Sequence, residues 1–245
     1  DSIEIANPES NIRPIFIFGV PRSGTTLVES IISASDESIK VGEETMISHY
    51  FIKEFVEQKK DKDAFTHYVS KIINSYQEKS LITKNNNRFT DKSLENFFYF
   101  HLIRKIFPKA KFINCKRNEK NSMMSILKNN LISIPWAHDL NDIFLYFDNY
   151  LNIVKKYKRD HSKLIYEIEL EKLTESPESE TKALLNFCNL KWSTKCLKFY
   201  NRSDLTSKTL SQNQIRNPIY KQNSNEVSNY YEFLKLSGKK YSWFS

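Results

Sequence analysis

The sequence predicts an α/β fold, a three-layer α/β/α sandwich around a mainly parallel central sheet. Short apolar runs bounded by Gly or Pro alternate with longer segments whose apolar residues recur at helical spacing. Gly19 and Gly24 stand between the first such run and the first helical segment, with the spacing G-x-x-x-x-G. The 245 residues are enough to bury one sizeable core, and no internal repeat or low-complexity linker divides them. Residues 1–245 therefore read as a single domain.

The elements follow in order. Ile15-Phe16-Ile17-Phe18, bounded by Pro14 and Gly19, reads as a buried strand. Leu27, Val28, Ile31 and Ile32 then mark a helix starting near Gly24 or Thr25. Val41-Gly42-Glu43-Glu44 reads as a turn-like break, followed by two polar helices up to about Tyr76. Phe89-Thr90-Asp91-Lys92 reads as a strand end. Leu94, Phe97, Phe98, Leu102 and Ile106 predict one helix, stopped by Pro108. Residues 111–115 predict a strand, and a helix is expected from about Glu119 to Leu131. Leu140, Ile143, Phe144, Phe147, Leu151 and Val154 form a strong amphipathic pattern. Residues 164–168 predict a further strand, and Pro177 fits the first turn of a helix to about Cys188. Residues 204–223 lack any period and read as a long functional loop, before a last helix holding Val227, Tyr231 and Leu234.

Composition narrows the function classes. No apolar run approaches the roughly 20 residues of a membrane helix, so no transmembrane segment is expected. The first residues do not resemble a secretory signal, and the missing initiator Met leaves room for a segment upstream. The net charge of +8 favours anionic ligands. Zinc-finger spacing and RNP-type aromatic signatures are absent, so nucleic acid is not an expected partner. Cys115, Cys188 and Cys196 read as buried reduced thiols, which suits a cytoplasmic location, and form no metal site.

The segment Gly19-Val20-Pro21-Arg22-Ser23-Gly24-Thr25-Thr26 carries the chemistry. In a chain with only 4 glycines, these two fall where a P-loop needs them, which makes the fold P-loop-type. Backbone N–H groups at the helix start face an anion, and Ser23, Thr25 and Thr26 add hydroxyl donors. Thr25 stands where nucleoside triphosphatases have Lys, and the cation is instead Arg22 inside the loop. The Walker Lys reaches the β- and γ-phosphates, so its absence argues against triphosphate hydrolysis. After the strand ending at Cys115, Arg117 and Ser125 form a weaker candidate for a second phosphate.

Pro21-Arg22-Ser23-Gly24-Thr25-Thr26-Leu27 resembles the 5′-phosphosulfate loop of sulfotransferases. The similarity is greatest to the branch of tyrosylprotein sulfotransferases and of bacterial sulfotransferases that often follow tetratricopeptide repeats, and it runs from about Pro14 to Leu234. It implies a donor, 3′-phosphoadenosine-5′-phosphosulfate (PAPS), and a product, adenosine 3′,5′-bisphosphate (PAP), with no metal. By the same resemblance Arg117 and Ser125 hold the 3′-phosphate. Gly42-Glu43-Glu44-Thr45 is similar to a segment whose second Glu is the catalytic base, which maps to Glu44, whereas bacterial relatives favour Glu43. Without the resemblance, both acids could simply complement a helix N-terminus. His49 is a lesser candidate and reads as a surface residue. Thr90-Asp91-Lys92 is similar to a family segment in which Lys92 would reach the transferring group. The stretch from Thr206 to Tyr220 resembles the bacterial family's segment ending in Gln-x-Arg-x-Pro-Ile-Tyr, here Gln214 to Tyr220. In tyrosylprotein sulfotransferases the matching segment covers the donor and supplies a Ser beside sulfur, which implies Ser207 or Ser211 for that Ser, with Gln214 and Arg216 as contacts.

The resemblance thus implies sulfuryl transfer from PAPS to a hydroxyl or amine by in-line displacement, in a bacterial cytoplasm. The acceptor stays open among peptide tyrosine, carbohydrate and small molecules. Two other classes compete: a P-loop kinase or nucleoside triphosphatase, and a non-catalytic nucleotide or polyanion binder. The first lacks its Lys, and Lys116 and Arg117 stand where its acidic magnesium ligand would follow the strand. The second would not need Glu43 and Glu44.

Overall fold

A computed structural model describes residues 11–58, 62–129, 131–201, 216–219 and 231–244. Its strands are β1 (Ile15–Gly19), β2 (Lys40–Val41), β3 (Phe89–Asp91), β4 (Lys111–Lys116) and β5 (Ile165–Glu169). Its helices are α1 (Thr25–Ser35), α2 (Ile47–Glu57), α3 (Lys62–Glu78), α4 (Phe100–Ile106), α5 (Glu119–Lys128), α6 (Leu140–Asp160), α7 (Leu170–Glu175), α8 (Pro177–Phe187) and α9 (Tyr231–Gly238). Tight 3-10 turns cover Leu94–Tyr99, Pro135–His138 and Thr194–Asn201.

The strands run in the order β2-β3-β1-β4-β5, and each of the four pairings between these strands is parallel. β1 lies in the middle with all five residues buried, as its unbroken apolar run predicts. Alternate residues feed two cores. Phe16, Phe18 and Phe112 face one that also takes residues of α2 to α6 and α9. Ile15, Ile17, Ile113 and Cys115 face another, shared with α1, α8 and the Thr194–Asn201 turn. Phe16 stacks on Phe112 at 5.5 Å between ring centroids. The predicted sandwich of three layers is therefore the observed one.

Some boundaries differ from expectation. The turn-like break at Val41 contains the last residue of β2, an edge strand too short to give alternation. The single helix expected over 94–106 is a 3-10 turn followed by α4, and the i, i+3 spacing of Leu94, Phe97 and Phe100 suits the tighter turn. α5 ends at Lys128 rather than near Leu131, and α6 continues past Val154 to Asp160. α7 and the Thr194–Asn201 turn were not expected. The predicted loop and last helix fall largely outside the described residues, and α9 is the part seen.

The chain leaves β1 through α1 toward β2 at one edge, and leaves β4 through α5 and α6 toward β5 at the other. The crevice between the carboxyl ends of β1 and β4 is thus the topological switch point, where open α/β sheets place their ligands.

Candidate functional site

The loop after β1 is held in an unusual backbone shape. Arg22 (φ 69°) and Gly24 (φ 92°) both occupy the left-handed region. A side chain at Gly24 would be strained there, and its Cβ would also come within 2.9 Å of Leu170 Cδ1. Gly24 is the N-cap of α1, so it spends no side chain on the helix's first N–H groups, and the first turn holds no acid. Ser23 is 1% exposed, and its Oγ has no hydrogen-bond partner among the described residues. A buried hydroxyl without a partner is costly, and an anion oxygen in the loop would accept from it. Thr25 and Thr26 are buried beside it.

The two predicted phosphate contacts meet this loop. Arg22 Nε donates to Ser125 Oγ on α5 at 3.1 Å. Arg117 Nη1 donates to the Arg22 carbonyl at 3.0 Å. Asn118 caps α5 by accepting from Asn121 N, which fixes the turn that carries Arg117. Two guanidinium groups, the orphan Ser23 hydroxyl and an uncapped helix start therefore converge across the β1–β4 crevice. This arrangement can hold anionic oxygens on either side of Arg22.

The carboxylate turn lies on the other side of β1, ahead of α2. Gly42 N donates to Thr90 O at 3.0 Å, so close that a Cβ on Gly42 would sit 2.3 Å from that oxygen. Glu43 takes φ 51°, and its carbonyl accepts from Lys92 N at 2.7 Å. Glu44 is exposed, and its Oε1 lies 3.4 Å from Nζ of Lys92, whose side chain is 1% exposed. A buried ammonium and a half-exposed carboxylate thus face each other at the mouth of the site.

Asp91 anchors this turn. It is fully buried and accepts from Thr45 Oγ1 (2.5 Å), Tyr76 OH (2.6 Å), Ser93 N (2.9 Å) and Asn96 Nδ2 (3.1 Å). Burial and the Asp91 charge together push the Tyr76 hydroxyl well above its ordinary pKa, so it stays a donor. Glu29 on α1 is also buried. Its Oε1 accepts from Thr90 Oγ1 at 2.7 Å and from Glu43 N at 3.2 Å. Burial pushes its carboxyl up to about 7, against the opposing pull of Lys92. Sequence reasoning missed both roles. The signal for Glu29 was a charged residue among Val28, Ile31 and Ile32 on an apolar helix face.

Other expectations place as follows. Arg117 and Ser125 are brought against the segment Pro21-Arg22-Ser23-Gly24-Thr25-Thr26 through Arg22, and Glu44 and Lys92 pair with each other in a second cluster. Ser207, Ser211 and Gln214 lie outside the described residues, while Arg216 is exposed. His49 is half-buried rather than on the surface, because its ring packs 5.3 Å from that of Tyr99, and burial lowers its pKa. The three cysteines are buried and unpaired. No group of His, Cys, Asp and Glu among the described residues could hold a metal, and no described helix is long and apolar enough to cross a membrane. A cavity of about 310 Å³ opens beside the site between β4, β5 and α6, lined in part by Val20, Arg117, Tyr150 and Trp243. Tyr150 OH donates to Asn114 at its floor, and Asn114 Nδ2 donates to Glu167 at 3.0 Å.

A family model described as "Sulfotransferase family" matches residues 14–194. An uncharacterized protein of Aquifex aeolicus is 29% identical over 238 residues, covering 91% of this chain and 31% of its own length. Protein-tyrosine sulfotransferase A of Caenorhabditis elegans is 23% identical over 223 residues, covering 82% of this chain and 55% of its own. The chain thus spans about a third and about half of these two relatives. Among solved structures, the sulfotransferase domain of the Synechococcus PCC 7002 olefin synthase has a similar fold (TM-score 0.58, 14% identity, 97% of this chain and 96% of that one).

Proposed function

The chain belongs to the sulfotransferase family, matched across residues 14–194, and from that membership we propose that it transfers a sulfuryl group from PAPS to a hydroxyl or amine acceptor. The observation that carries the reading is the bridge from Arg117 to the Arg22 carbonyl and from Arg22 to Ser125, which brings the loop after β1 together with the start of the β4–α5 connection and α5. A donor with a 5′-phosphosulfate and a 3′-phosphate needs two anion-binding elements, and a nucleoside triphosphate needs a Walker Lys that this loop lacks.

In this reading Arg22, Ser23, Thr25, Thr26 and the loop N–H groups bind the 5′-phosphosulfate. Pro21 and Gly24 shape the loop around it. Arg117 and Ser125 bind the 3′-phosphate, and Gln214 and Arg216 reach the donor from the late segment. Glu44 takes the acceptor's proton as the acceptor atom attacks sulfur. A bond from sulfur to that atom forms, the S–O bond to the 5′-phosphate breaks, and the electron pair leaves with PAP. Lys92, with Ser211, steadies the transferring group, and Arg22 meets the charge growing on the leaving phosphate. Protein cations supply this stabilisation without a metal. Glu44 is preferred to Glu43 because its carboxylate is exposed beside Lys92, whereas the Glu43 backbone is tied on both sides. Residues 1–245 act as one catalytic unit in the cytoplasm, on acceptors drawn from tyrosine peptides, carbohydrates or small molecules.

Thermal unfolding with PAP and with ATP, each with and without magnesium, tests the reading. A ligand at 100 times its dissociation constant stabilises by about 2.7 kcal/mol. PAP without magnesium is expected to shift the transition, and Arg117→Ala to abolish the shift at the same concentration. A shift given only by magnesium-ATP would overturn the proposal.

A further inference from the structure

Glu29 sits on the face of α1 that packs into the core, 3% exposed, one helical turn after Thr25. A carboxylate buried among apolar side chains is costly and is retained where it holds something in place. Its Oε1 accepts from Thr90 Oγ1 (2.7 Å) and from the backbone N–H of Glu43 (3.2 Å). Those two bonds tie together the helix of the phosphate loop, strand β3 and the turn that carries Glu44. Glu43 has φ 51°, a left-handed conformation disfavoured for a residue with a side chain, so the turn needs outside support. It is held by Glu29 at its N–H and by Lys92 N at its carbonyl.

We infer that Glu29 is a positioning residue that locks the Glu43 turn to the helix of the donor loop, and so keeps Glu44 and Lys92 in register with the bound donor. The inference rests on the donor and base roles proposed above. The ionisable groups facing Glu29 are Lys92 after β3, Glu43 before α2 and the Cys115 thiol on β4. From α8 and the Thr194–Asn201 turn, the core on that side takes Leu184, Leu185, Phe199 and the Cys188 and Cys196 thiols. Desolvation in this setting pushes the Glu29 carboxyl up to about 7. Above that pH its bonds are charge-assisted and strong, and below it they weaken to neutral ones.

The test compares Glu29→Ala with Glu29→Gln in the full chain, where Gln keeps an acceptor oxygen but cannot ionise. Turnover is measured with PAPS and the best acceptor from a panel of tyrosine peptides, oligosaccharides and small alcohols. PAP affinity is measured separately by calorimetry. Glu29→Ala is expected to lower kcat about 100-fold, as misplacement of a catalytic group does, with PAP affinity held within about threefold. Glu29→Gln is expected to restore kcat to within about tenfold of the parent and to lose the acid limb near pH 7. Urea unfolding gives a readout independent of turnover. A carboxyl raised from 4.5 to about 7 in the folded state makes stability fall as pH rises through that window, and Glu29→Gln should lose that fall. A kcat within threefold of the parent in Glu29→Ala, or an unchanged acid limb in Glu29→Gln, overturns this inference alone. A parent that neither binds PAP nor transfers sulfate overturns it together with the proposed function.

Discussion

Glu44 and Lys92 show how little of a side chain's role is fixed by its type. The ammonium is almost wholly enclosed, yet the carboxylate 3.4 Å away is half open to solvent. Gln at this position would keep an amide oxygen able to accept from the buried Lys92 ammonium, so what the substitution removes is the carboxylate's charge and basicity. Glu44→Gln is therefore expected to leave the unfolding midpoint and PAP affinity almost unchanged. It should lower kcat by about 10²- to 10⁴-fold, the usual worth of a general base. Stopped assays beside calorimetric PAP titration would check both, and a kcat within threefold of the parent would point to Glu43 instead. Arg22 was legible from its place in the loop, and Arg117 more weakly from its place after a strand, whereas the roles of the acids and of Lys92 came from the family resemblance. The sequence could not show that the Glu43 backbone is tied while the Glu44 carboxylate stands half exposed beside Lys92, since that depends on contacts made across the fold.

At the scale of elements, Asp91 joins what the sheet order alone would leave separate. It takes hydrogen bonds from Thr45 ahead of α2, from Tyr76 on α3, and from Ser93 and Asn96 in the turn before α4. Asp91→Ala would strand the Asn96 amide and leave the Tyr76 hydroxyl with Ser48 in place of a charged acceptor, in a core that excludes water. A loss of about 3 kcal/mol or more is expected, read from urea midpoints, with the carboxylate turn loosened as a consequence. A loss below about 1 kcal/mol would show that these elements are held by packing alone. The longer elements were legible because periodicity accumulates over many residues, as in α6. β2 has two residues and α7 six, too few for a period to emerge. The 3-10 turn after β3 was read as helix because both share the i, i+3 spacing of buried residues.

Across the whole molecule, the alternation of strands and helices made the mainly parallel sheet legible but not its strand order, and the loop between Gly19 and Gly24 marked where an anion would bind. The packing of two cores against opposite sheet faces also decides the fate of the thiols. Cys115, Cys188 and Cys196 all lie in the core shared by α1 and α8. Burial pushes the Cys115 thiol far up and the Cys188 thiol to about 12, so neither forms a thiolate near neutral pH. The native protein should take up no maleimide, as intact mass spectrometry would register, whereas uptake before unfolding would contradict the burial. A single cysteine placed at Ile132, 82% exposed, would then be the sole point of attachment. A fluorophore or spin probe could be added there with all three native cysteines left in place.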